Sequence, residues 1–316
     1  IKPMDKNIDN SGFGTSVTEK YARFINKDGS HNVVHVGRPI KERNSLYSKL
    51  INISWWKFLA LVFIFYFFIN FVFALIYYFF CIPNLMGLIQ GSNWQNFQEV
   101  YFFSAQTLTT VGYGRISPVG IFTNTIAASE ALIGILTLAI NTGLLYGRFV
   151  KPKAHLKFSH NAIIAPFKEN TALMFRLAPI KNESLSNMMV RVTVSLMLKE
   201  NGKLINKFFN LPLQIDTLDT FVTTWTIVHP IDEQSPLWKM NFDEMTNKDL
   251  EILVYVRAYD EDFSSTVVKR TSYTHEEVIF GAKFKPAFYE DPNGKGSIVE
   301  HHKLNEFEPV QLQSNL

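Results

Sequence analysis

The feature that most constrains this chain is a long stretch without charge. Residues 58–98 contain no Asp, Glu, Lys or Arg, and from there to Arg148 the only charged residues are Glu99, Arg115 and Glu130. A block that avoids charge over such a length is expected in lipid. Whole-chain averages conceal it: 47% hydrophobic residues and a formal charge of +3 over 316 residues describe an ordinary protein. The flanking segments are charged like a soluble protein, and the length allows two domains. The slight basicity gives no support for nucleic-acid binding. The single cysteine, Cys81, cannot pair within the chain and is expected as a free thiol near the outer end of the first span. The polar opening through Ser11 and Gly12 has no apolar centre of the kind a cleaved leader carries.

Within and around the block, the pattern predicts helices of different kinds. Residues 58–80 make the first span, because roughly 23 residues at 1.5 Å each reach about 35 Å. Residues 82–96 read as a polar loop with Pro83, Gly87 and Gly91. Residues 97–108 are apolar but too short to cross, so a re-entrant half-helix is expected. Residues 121–147 make the second span, with Gly134, Gly143 and the lone carboxylate Glu130. Ahead of the first span, residues 44–56 set Leu46, Tyr47, Leu50, Ile51 and Trp55 against Asn44, Ser48, Lys49 and Asn52, the pattern of a helix lying in the membrane interface. Residues 1–43 read as a polar arm broken by Gly12, Gly14, Gly29 and Gly37, with one short strand around 31–36.

Basic residues fix the topology. Arg38, Lys41, Arg43, Lys49 and Lys57 precede the first span, Arg148, Lys151, Lys153 and Lys157 follow the second, and the loop between has only Arg115. Both termini are therefore expected in the cytoplasm. After Pro152, runs at 172–177, 190–198, 221–228, 250–259 and 278–284 are rich in branched and aromatic residues, with turn signals at 200–203 and 291–294. That texture predicts an all-β sandwich. The expected organisation is an arm at 1–43, an interfacial helix at 44–56, a pore domain at 57–150 and a cytoplasmic β-sandwich at 151–316.

The chemistry sits between the half-helix and the second span, where the chain reads Thr109-Thr110-Val111-Gly112-Tyr113-Gly114. Irregular backbone at membrane depth is tolerated only where protein buries it or it lines a wet path. Gly112 and Gly114 permit angles that aim successive carbonyls at one axis. Four copies of Thr110, Val111, Gly112 and Tyr113 would present rings of oxygen in place of the water around a K⁺ ion, with the Thr110 hydroxyl as the innermost ring. One chain cannot make a ring, so a closed homotetramer is expected. K⁺ in this filter is the only metal or cofactor expected. The eight histidines show no metal-binding spacing, and no nucleotide fingerprint or nucleophile elbow occurs, so no enzyme is expected.

Other residues carry two readings each. Glu130 either lines a cavity and attracts K⁺ or packs behind the filter, facing the half-helix and residues such as Thr107; the packed role is favoured. Leu138, Thr142 and Tyr146 fall at i, i+4 and i+8 on one face. Tyr146 either closes the inner pore by excluding water or anchors the helix end at the interface. Arg148, Lys151 and Lys153, with Lys49 and Lys57, either bind anionic headgroups or only set topology. Arg115 either faces entering cations or is paired locally.

The sequence resembles the inward-rectifier potassium channels, their bacterial branch most closely, over nearly its whole length. The resemblance rests on residues 21–29 (YARFINKDG), on 103–114 (FSAQTLTTVGYG), on 143–152, and most specifically on 228–237 (VHPIDEQSPL), with Arg270-Thr271-Ser272-Tyr273 and 277–281 (EVIFG) as a second run. It implies an immunoglobulin-like cytoplasmic sandwich, a tetramer, a slide helix at 44–56, and a multi-pass protein of the cell (inner) membrane. It implies that Leu138, Thr142 and Tyr146 line the inner pore, with Tyr146 at the helix-bundle gate. It also implies that Lys49, Lys57, Arg148, Lys151 and Lys153 meet anionic lipids, and that Ba²⁺, Mg²⁺ and polyamines are the candidate blockers. Two departures matter. Leu138 stands where strong rectifiers carry an acid, so rectification is expected to be weak. Gln106 stands where many members pair a Glu with an Arg behind the filter, so the filter must be braced otherwise, with Gln106, Thr107 and Glu130 as the candidates for cavity or filter support. Glu261 is the acidic position expected to survive in the cytoplasmic pore.

Other functions fit the residues less well. A non-selective cation channel would usually lose the tyrosine at 113, and a membrane-anchored sandwich that only binds a partner would not need the filter. A channel gated by nucleotide or Ca²⁺ would show a dinucleotide fold or a sensor loop.

Overall fold

The computed structural model describes residues 16–17, 23–34, 36–37, 45–150, 154–181, 184–200, 202–292, 294 and 296–312. The chain divides into two units, one of residues 36–151 and one of residues 1–35 with 152–316. In chain order the first elements are β1 (Ser16–Val17), α1 (Leu46–Asn52), α2 (Trp55–Phe80), β2 (Leu85–Met86), α3 (Asn93–Leu108), β3 (Ser117–Pro118) and α4 (Ile121–Phe149).

In the 36–151 unit, α2 and α4 are the two helices long and apolar enough to cross a membrane. Most of the large apolar side chains on α2 are exposed, from Leu59 to Phe80, as expected of a surface that faces lipid. The interfacial helix is shorter than the sequence pattern suggests. Ser45 caps α1, accepting from the Ser48 N–H at 3.1 Å, and the chain is extended at Ile53 and Ser54. Trp55, Trp56 and Lys57 therefore form the first turn of α2. The half-helix is longer than expected. It starts at Asn93 because Ser92 and Gln95 form a reciprocal capping box. Its 16 residues still reach only about 24 Å, short of a bilayer core. The loop around it is not free: β2 pairs with β3, Met86 opposite Ser117.

The other unit continues with β4 (Leu156–Phe158), β5 (Ala162–Phe167), β6 (Asn170–Pro179), β7 (Leu185–Glu200), β8 (Lys203–Leu211), β9 (Thr217–Phe221), β10 (Trp225–Ile231), α5 (Phe242–Asn247), β11 (Glu251–Asp260), β12 (Ser265–Thr274), β13 (Val278–Phe280), β14 (Ala282–Phe284), β15 (Phe288–Glu290), β16 (Ser297–Val299) and β17 (Phe307–Pro309). One sheet runs β1-β8-β7-β11-β12, with β9 also on β7; the other runs β10-β6-β5-β13, with β4 on β6. Alternate residues of the two sheets, such as Val192, Val194, Ile252 and Val254 on one and Leu173, Phe175 and Ile227 on the other, share one buried core. This is a sandwich.

Three local expectations are corrected. The run at 221–228 is two strands, β9 and β10, separated at residues 222–224. The run at 278–284 breaks at Gly281, whose φ of +66° leaves the strand region and whose added Cβ would lie 2.8 Å from the Val310 carbonyl oxygen. Among the described residues of 31–36 there is no strand; Ile25 and His31 make an isolated bridge across the turn at 26–30.

The two family-like runs have structural work. His229 is buried, its Nδ1 2.7 Å from the Pro212 carbonyl and its Nε2 2.8 Å from Ser235 Oγ. A carbonyl can only accept, so Nδ1 carries the proton and Ser235 donates to Nε2. Burial holds the imidazole below its ordinary pKa. In the second run Ser272 donates to the Ile25 carbonyl at 2.5 Å. Arg23 of the arm pairs with Glu277 at 3.0 Å. Glu251 accepts from the backbone N–H of Phe24 at 2.9 Å and of Ile25 at 3.3 Å.

Candidate functional site

The loop after α3 leaves the helix through two of its own carbonyls. Thr110 N–H donates to Thr107 O at 3.1 Å and Val111 N–H to Gln106 O at 2.9 Å. The backbone φ is then left-handed at every second residue: 60° at Thr110, 57° at Gly112 and 80° at Gly114. Val111 and Tyr113 between them are not. In an ordinary strand successive carbonyls point to opposite sides. Inverting the hand at alternate residues turns them to the same side, which makes a ladder of acceptors. The glycines take this conformation freely, whereas Thr110 is a branched residue in a region that costs about 1–3 kcal/mol. Glycine positions are visible in a sequence; a left-handed threonine has no such signature. Val111 and Tyr113 are 53% and 80% exposed in the single chain.

Behind the loop, α2, α3 and α4 meet on one carboxylate. Glu130 is fully buried. It accepts from the Tyr77 hydroxyl at 2.7 Å and from the Ser104 hydroxyl through its other oxygen. Thr107 is not its partner, because the Thr107 hydroxyl is taken by the Phe103 carbonyl of its own helix at 2.8 Å. Ser104, one helical turn earlier, points at α4 instead. Gly134 sets the close approach: a Cβ there would lie 1.9 Å from the Leu108 carbonyl oxygen at the end of α3. On the outer side Arg115 bonds Glu99 at 2.5 Å and the Gly87 carbonyl at 3.3 Å. It is a paired residue.

On α4, Leu138 and Tyr146 are each 69% exposed in the single chain. Thr142 is also exposed, its hydroxyl bonded to the Leu138 carbonyl at 2.8 Å. Arg148 differs from the other basic residues. Its guanidinium donates to the carbonyls of Leu50 at 2.6 Å, Ile51 at 3.1 Å and Ile53 at 2.7 Å. It also stacks over the rings of Trp55 and Phe58. It thus caps α1 from α4. Lys49 and Lys57 are exposed, and Lys151 and Lys153 lie outside the described residues. In the sandwich unit, Glu261 is exposed in the β11–β12 turn, its N–H donating to the Ser184 carbonyl at 3.0 Å.

Residues 156–315 match the family model for the inward rectifier potassium channel C-terminal domain, and residues 61–150 match an ion channel model. The chain is 33% identical over 280 residues to the inward rectifier potassium channel Kirbac3.1 of Paramagnetospirillum magnetotacticum, covering 87% of this chain and 92% of that one. It is 28% identical over 297 residues to the G protein-activated inward rectifier potassium channel 4 of Bos taurus, covering 84% of this chain and 68% of that one.

Proposed function

The chain belongs to the inward-rectifier potassium channels, and on that premise we propose that four copies close around one axis and pass K⁺ through rings of carbonyl oxygens from Thr110, Val111, Gly112 and Tyr113. It is a potassium channel of the membrane, not an enzyme. The observation that carries the filter assignment is the left-handed backbone at Thr110, Gly112 and Gly114. A single chain offers about one oxygen per level, and only a ring of four replaces enough hydration water to release the ion from it. The carboxyl end of α3 faces the same loop, so the negative end of its dipole favours a cation there.

The finer assignments belong to the same proposal. The pore domain runs from the start of α2 at Trp55 to residue 150, with the arm at 1–43, the slide helix cut back from 44–56 to Leu46–Asn52, and the cytoplasmic sandwich at 151–316. Tyr146 narrows the inner end of the pore, below Thr142 and Leu138, and gating involves both this helix bundle and the cytoplasmic domain. Rectification is weak because Leu138 gives multivalent cations no charge to bind. Glu261 attracts cations at the cytoplasmic mouth. Lys49, Lys57, Lys151 and Lys153 face anionic headgroups. Ba²⁺ blocks, and Mg²⁺ or polyamines block weakly. The test is uptake of Rb⁺ by proteoliposomes. Uptake stopped by Ba²⁺ and not shared by Na⁺ is expected; uptake of Na⁺ at an equal rate overturns the filter assignment.

A further inference from the structure

The outer face of the six-stranded sheet carries three arginines that belong neither to the filter loop nor to the exposed α4 face. Arg191 on β7, Tyr255 on β11 and Arg270 on β12 are directly opposite one another across three strands, so their side chains share a face. Arg257 lies two residues beyond Tyr255 on that face. At ordinary strand spacing the three arginine Cα atoms fall within about 10 Å of one another. Arg191 and Arg257 are exposed, and the Arg270 guanidinium lies 5.3 Å over the Tyr255 ring.

Among the described residues no carboxylate forms an ion pair with Arg191, Arg257 or Arg270. They line a cavity of about 850 Å³ whose rim includes Phe24 and His31 of the arm, with Asp216 as its one carboxylate. The arm is held in place by the Arg23–Glu277 pair and by the Glu251 carboxylate, so the wall is built rather than loose. Three like charges gathered against a single carboxylate, in a cavity of the size that takes small ligands, favour a multivalent anion.

We propose that this cavity is a binding site for a multivalent phosphate-class anion, held by forked contacts from Arg191, Arg257 and Arg270. Guanidinium groups suit this ligand because each offers paired donors to adjacent oxygens. The proposal does not depend on how K⁺ passes, and its test reads binding rather than current.

The experiment titrates inorganic tripolyphosphate into the full-length protein in neutral-lipid nanodiscs, by calorimetry. Saturable binding at one site per chain is expected, weakening as KCl is raised. Arg191→Gln with Arg257→Gln should weaken it at least tenfold. Both residues are on the surface, and a melting temperature equal to the wild type verifies the fold. Lys49→Gln with Lys57→Gln should leave the affinity unchanged. Absence of saturable binding, as when a neighbouring copy covers this face, overturns the site. So does loss of binding in the lysine variant with retention in the arginine variant. Repeating the titration in phosphatidylglycerol nanodiscs separates the sources. An unchanged affinity assigns the site to a soluble anion, and a loss confined to those discs that the arginine variant does not show assigns it to a lipid headgroup.

Discussion

Tyr77 of the first span donates its hydroxyl to Glu130 of the second at 2.7 Å, and Ser104 of the half-helix bonds the same carboxylate. One side chain therefore ties three helices together behind the filter loop. Glu130→Gln keeps an acceptor and a donor for two hydroxyls that can rotate, so it should fold and retain K⁺ over Na⁺ selectivity. Glu130→Leu orphans the Tyr77 hydroxyl, at about 1–3 kcal/mol, and leaves Ser104 only its longer bonds to Asn70 at 3.2 and 3.3 Å. Thermal melting in nanodiscs should show a clear drop for Leu and little for Gln. Equal melting of the two variants would mean the hydroxyls find other partners.

Two glycines should fail for opposite reasons. At Gly112 an added Cβ meets nothing of its own chain within 4 Å, but φ is +57°. Gly112→Ser should therefore leave the subunit fold intact and abolish selectivity through backbone strain. At Gly134 the backbone is helical and the obstacle is the Leu108 oxygen at 1.9 Å. Gly134→Ala should lower melting and flux together, by pushing α4 from the end of α3. A selective Gly112→Ser channel would sink the filter assignment.

Leu138→Asp should create block by internal spermine or Mg²⁺. In the proposed tetramer, four carboxylates in a confined cavity attract a multivalent cation, although mutual repulsion keeps some of them protonated at neutral pH. Current–voltage curves with and without internal spermine decide it. Superimposable curves in folded channels would show that residue 138 does not face the pore.

Arg148 and Lys49 should behave differently toward lipid. The Arg148 guanidinium is already engaged by Leu50, Ile51 and Ile53, whereas Lys49 is exposed. Arg148→Gln should change Rb⁺ flux even without anionic lipid, since it releases α1 from α4. Lys49→Gln should alter only the response to added phosphatidylglycerol or phosphoinositide, each such charge being worth on the order of 1 kcal/mol at an anionic surface. If both variants shift the lipid titration alike, Arg148 is a lipid ligand after all.

The sandwich should lose stability in mild acid. His229 is held neutral, with its folded pKa depressed by burial. A depressed base contributes stability that is full above its unfolded pKa, about 6.5, and is lost as pH falls from there through the folded pKa. Melting followed from pH 8 to pH 5 should decline below about pH 6.5. His229→Ala should remove this slope and cost about 1–3 kcal/mol at pH 7.5, because the Pro212 carbonyl and the Ser235 hydroxyl lose a partner. An unchanged slope would place the titration elsewhere.

What the sequence disclosed, and what it withheld, follow from the range of the forces involved. Exclusion of charge acts over whole segments, so the spans and the half-helix were legible from residues 58–147. Branched-residue runs and turn signals showed the sandwich. Contacts between distant residues left no comparable trace. Nothing in a one-dimensional pattern says that Ser104 rather than Thr107 meets Glu130, or that Arg148 returns to Leu50. Gly134 and Gly281 could be seen as glycines, but the oxygens of Leu108 and Val310 that require them could not. The early start of α3 is a different case: Ser92 followed three residues later by Gln95 is a readable capping signal that the apolar run at 97–108 overshadowed.

The small ladder between Leu85–Met86 and Ser117–Pro118 has a consequence for how such a channel is made. It joins the two ends of the outer loop, so that α3 and the irregular backbone after it are enclosed as a cassette within one chain. Arg115 and Glu99 fasten the same cassette at 2.5 Å. The conformational entropy of ordering the loop is then met during the folding of each subunit. In the proposed tetramer, assembly is then the docking of four finished parts, with mainly rigid-body freedom left to lose.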